Sequence, residues 1–110
     1  MAFADDKGFN GKISQCIDRA LDTFGEGVKE SLYYQIEKQY NIPKEEFVSK
    51  PAEIIEHLKK FLGATGSEFV EKLVVREIGK SFGLRFDVNT SLSIAINEAR
   101  SKFLNAVDSN

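Results

Sequence analysis

Apolar residues recur along this chain with the 3.6-residue period of amphipathic helices, in five separate runs. The first spans 11–24, where Ile13, Cys16, Ile17, Ala20, Leu21 and Phe24 follow at i, i+3, i+4, i+7, i+8 and i+11. Asn10 is placed to cap it and Gly25-Glu26-Gly27 punctuates its end. The second run, 26–40, carries Val28, Leu32, Ile36 and Tyr40 on one face, with Tyr33 at the margin. Pro43 cannot continue it, and Pro43-Lys44-Glu45-Glu46-Phe47 sets a proline and two acids where a single short turn begins. Pro51 opens a third helix bearing Ile54, Ile55, Leu58, Phe61 and Leu62, closed by Gly63. Thr65 with Glu68 forms a capping-box pattern for a fourth, which buries Phe69, Val70, Leu73, Val74 and Ile78. Leu84-Arg85-Phe86-Asp87-Val88 alternates apolar and polar residues but is too short to require a sheet, and reads as an extended linker. Thr90 or Asn89 then caps a last helix with Leu92, Ala95, Ile96, Ala99, Phe103, Ala106 and Val107 as its stripe.

Two helix ends share one phrase, an aromatic, a residue tolerant of a left-handed backbone, and an aliphatic: Tyr40-Asn41-Ile42 and Phe82-Gly83-Leu84. Setting Tyr40 against Phe82 aligns Val28 with Val70, Leu32 with Val74 and Ile36 with Ile78, as two related helical hairpins would. Any two amphipathic helices align at core positions, and two copies are too few for a repeat array. The expected fold is all-α: a compact bundle of about five helices built from helical hairpins, with a short extended linker before the last helix. It occupies 11–107 as a single domain, between a flexible N-terminal segment at 1–10 and a flexible tail at 108–110.

Composition narrows the function. The chain has 110 residues, enough for one core without a staple or a metal. Fifteen Lys and Arg stand against 17 Asp and Glu, a net charge of -2, which disfavours nucleic acid as the partner. The single Cys16 cannot form an internal disulfide, which fits a reducing cytoplasmic setting. Residues 1–11 lack a signal-peptide apolar core and no apolar run of membrane-spanning length occurs, so no membrane association is expected.

Candidate chemical residues all have simpler accounts. His57, the only histidine, lies one turn after Glu53, but two ligands make no closed metal site, and a solvated helix-surface histidine explains the pair. Cys16 falls in an apolar stripe, as a small buried hydrophobe does. Ser81, Ser91 and Ser93 lack a nucleophile elbow, and Glu45, Glu46 and Glu53 sit where first helical turns favour acids. Gly63-Ala64-Thr65-Gly66-Ser67 could cradle an anion, yet it lacks the lysine and spacing of a phosphate loop. No catalytic residue, cofactor or metal is expected, and the chain reads as non-enzymatic.

The run Val28-Lys29-Glu30-Ser31-Leu32-Tyr33-Tyr34-Gln35-Ile36-Glu37, then Tyr40 to Phe47, Lys50-Pro51-Ala52-Glu53, Phe61-Leu62-Gly63, Glu71 to Ile78 and Phe82-Gly83-Leu84 resembles an archaeal family, the Nitrosopumilus output domain, type five. The matched positions cover roughly residues 15 to 86. The resemblance implies a small helical output or regulatory module in archaeal signalling, with no catalytic residues to carry over.

A protein-interaction module is therefore the leading expectation, with a protein partner or self-association. Tyr34 lies about 200° around its helix from Leu32 and should face outward as an anchor. Val75 and Ile94 complete the expected partner surface, and Phe3 and Phe9 lie in the loosely structured N-terminal segment. The alternatives are a helical DNA-binding regulator using Lys72, Arg76, Lys80 and Arg85, and a small-molecule sensor with a pocket between helices.

Overall fold

A computed structural model describes the backbone of residues 2–108 and the side chains of 8–43 and 46–105. Helix α1 runs Ala2–Asp22, α2 Glu26–Tyr40, a 3-10 turn Lys44–Ser49, α3 Pro51–Phe82 and α4 Leu92–Asp108. Among the described residues there is no strand, so the all-α class holds. Phe3 and the Ala106 and Val107 stripe lie outside the described side chains, and Ser109 and Asn110 outside the described backbone.

There are four α-helical elements where about five were expected, because the expected third and fourth follow each other without a loop, as two helical arms that meet at a break at Gly63, where the third was expected to close. At Gly63 the backbone leaves helical geometry, at φ 77° and ψ 173°, and re-enters the helix at once. No loop intervenes, so the Thr65 capping box is not used. Ser67 is buried instead, donating from its Oγ to the Ala64 carbonyl at 3.0 Å. Gly66 keeps the corner tight, since a Cβ there would stand 2.7 Å from Leu62 Cβ.

The first boundary also differs. Residues expected as a loose segment continue α1 to Ala2, and Asn10 lies inside the helix rather than capping it. The reason is Phe9, a core residue whose ring tilts against Phe82 and Phe103 at 5.5 and 5.6 Å between centroids, with the Arg100 guanidinium over it. An aromatic buried to this degree contributes about 1.5–3 kcal/mol, which draws the turn that carries it into the core.

Both left-handed ends are present. Asn41 has φ 57° and Gly83 φ 66°, and the Leu84 N–H returns to the Gly79 carbonyl at 2.9 Å. The α4 cap is Ser91, not Thr90 or Asn89: its Oγ accepts from the Ile94 N–H at 3.2 Å, while Glu71 accepts from the Leu92 N–H at 2.8 Å. Helix α1 sits centrally and touches every other element. Its Ile13, Ile17, Ala20 and Leu21 meet a core completed by Leu32, Ile36, Ile54, Leu58, Val70, Val74 and Ile78. The aligned positions of the two hairpins are buried except Val28, which is exposed, and Tyr40, which is half-buried.

Candidate functional site

The α3 arm beyond Gly63 and the irregular stretch 84–90 enclose a half-open groove of about 460 Å³. Its position follows from one glycine. Leu84 turns back beneath Gly83 and its carbonyl crosses α3 at Gly79, where an added Cβ would stand only 2.8 Å from the Leu84 oxygen. Only a residue without a Cβ lets the returning chain lie this close, so Gly79 sets the spacing of the two walls.

The walls differ in chemistry. Along α3, Lys72, Arg76 and Lys80 stand at i, i+4 and i+8, which places three cations about 6 Å apart in rise on one ridge. Val75, Leu84, Phe86 and Val88 supply the apolar surface. Among the described residues Lys72 and Arg76 make no ion pair, and Lys80 only a 3.9 Å contact with Glu77. Of the nearby acids, exposed Glu68 lies one turn before Lys72, and three others hold partners of their own. Glu77 pairs with Arg19 at 3.1 Å, Glu71 caps α4, and Asp87, which lines the groove, accepts from the Asn89 N–H at 3.3 Å. Uncommitted positive charge thus borders an apolar floor, a pattern that suits an anionic, partly apolar ligand.

The expected partner residues divide. Tyr34 is 58% exposed and Ile94 52%, both at the surface, on α2 and α4. Val75 is 6% exposed and belongs to the groove and core rather than to an open face, because α3 is covered on that side by the 84–90 stretch. The structure does not join Val75 to either of the other two. The four cations weighed for DNA are partly gathered, with Lys72, Arg76 and Lys80 in the groove and exposed Arg85 on the stretch facing them.

No protein-family model, curated protein or solved structure matches the chain.

His57 is not the solvated surface group expected of it. It is 3% exposed, held edge-on between the rings of Tyr40 and Phe61 at 4.5 and 4.7 Å, and neither ring nitrogen has a hydrogen-bond partner. Burial, and then the Lys60 ammonium, lower its pKa. Glu53 is exposed, so the two do not form a site, and among the described residues no trio of His, Cys, Asp or Glu is placed to hold a metal. The burial comes largely from Tyr40, at the end of α2, whose ring closes over His57 on α3, a tertiary contact with no local signal in the sequence.

Cys16 is buried as expected and donates to Ser81 Oγ at 3.3 Å, where Arg19 Nη2 also donates at 2.7 Å. The anion cradle read from 63–67 is not formed, since 64–67 continue the helix. Tyr33 donates to Asp18, and burial followed by that bond raises its pKa. No helix among the described residues is long and apolar enough to cross a membrane.

Proposed function

We propose that this chain is a non-enzymatic protein-interaction module whose docking face is the groove between α3 and residues 84–90. One observation carries the reading: Lys72 and Arg76, uncommitted to any acid among the described residues, border the apolar Leu84, Phe86 and Val88. A partner segment with carboxylates flanking apolar side chains would gain charge-assisted contacts on the ridge and bury apolar area on the floor. The resemblance to the archaeal output domains is compatible with such a role, as a regulatory module acting by contact.

The test is binding of a synthetic amphipathic peptide bearing glutamates around leucines, against a counterpart with glutamine for each glutamate. Fluorescence anisotropy should show the acidic peptide bound, more weakly at high salt, with loss of binding to Lys72→Glu/Arg76→Glu. Equal behaviour of the two peptides, or no effect of the charge reversal, would remove the reading. A small-molecule sensor is the second reading, favoured by a groove volume within the roughly 300–1,000 Å³ of ligand sites. It calls for anionic apolar compounds that raise the melting temperature in a dose-dependent way.

A further inference from the structure

The protein carries a second surface whose chemistry is the complement of the groove. On α2, Glu26, Glu30, Glu37 and Tyr34 project within about 80° of one another at 100° per residue. All four are exposed. Glu30 and Glu37 have no ion pair among the described residues, and Glu26 has only a 3.9 Å contact with Lys29. Tyr34 stands among them, exposed, with the Lys38 ammonium 5.4 Å from its ring centroid and donating to its hydroxyl at 3.1 Å. Three carboxylates around an aromatic therefore face outward on the helix that is least enclosed by the rest of the fold, packing chiefly on α1.

Spacing and charge both fit. Glu30 and Glu37 are separated by about 10.5 Å of helix rise and Lys72 and Lys80 by about 12 Å, so one acidic face spans the cationic ridge. Resting on the proposed function, we infer that the groove's occupant is a second copy of this chain: α2 of one protomer lies against α3 and residues 84–90 of another, with Tyr34 over Phe86 and Leu84. Each protomer carries both faces, so a two-fold arrangement makes the contact twice and closes the assembly as a dimer. Tyrosine supplies large rigid contact area at such a centre, and the carboxylate and ammonium groups around it set register and orientation.

Sedimentation velocity on the full chain decides it. The parent should self-associate with concentration and less so at high salt. Lys72→Glu/Arg76→Glu and Glu30→Lys/Glu37→Lys should each weaken association at least about tenfold, and an equimolar mixture of the two should recover a dimer, because every reversed charge then meets its opposite. Recovery also shows that both variants are folded. A parent that stays monomeric, or variants that associate like the parent, overturns the inference. If the parent is monomeric yet the acidic peptide binds the groove, the inference fails while the proposed function stands; if the peptide also fails to bind, both fall.

Discussion

His57 shows how one side chain can tie the fold to pH. Its imidazole is buried between two aromatic rings with Lys60 close by, so the neutral form is favoured and the folded pKa lies below the ordinary 6.5. The unfolded chain then binds the proton more readily, and stability present above that value is lost as pH falls through the folded pKa. Urea midpoints on either side of 6.5 should drop on the acid side for the parent, with a flatter profile for His57→Leu. Gly79 ties the fold to the groove in the same local way. Alanine there gains up to about 1 kcal/mol of helix propensity, but its Cβ meets the Leu84 carbonyl at 2.8 Å. Because the obstacle is backbone, the clash should dominate, and Gly79→Ala should lower stability by about 1–3 kcal/mol in chemical denaturation and weaken peptide binding at the groove.

Among the elements, helix ends and core faces were legible while helix joins were not. Asn41 and Gly83 could be read because a left-handed residue followed by an aliphatic has a local cause, and the stripes of α1 and α4 because burial repeats with the helical period. The extension of α1 to Ala2 was hidden, since Phe9 earns its place only through Phe82 and Phe103, far along the chain. Likewise the groove's parts were visible separately, as a basic ridge and an alternating linker, but only the return of residues 84–90 across Gly79 sets them face to face. Gly63 gives this level its test. Nothing stands within 4 Å of a Cβ there, so the cost of Gly63→Ala is backbone strain alone. A loss of about 1–3 kcal/mol is expected in denaturant unfolding, and an unchanged midpoint would show that the break is not needed.

For the protein as a whole, the arrangement separates stability from recognition. The core is built mainly by α1, α3 and α4, whereas Tyr34 and its neighbouring glutamates stand outside it on α2. Tyr34→Ala should therefore change the unfolding free energy by no more than about 0.5 kcal/mol while weakening association. A loss of about 2 kcal/mol or more would instead assign Tyr34 to the core. The packing of Phe9 carries a last consequence, for the order in which the fold can be completed. The ring belongs to α1, but two of the aromatic side chains that enclose it, Phe82 and Phe103, lie on α3 and α4, far along the chain. Local helices can form early, yet the central helix cannot finish docking until α4 is in place, so the closing of this aromatic cluster belongs to the last cooperative step.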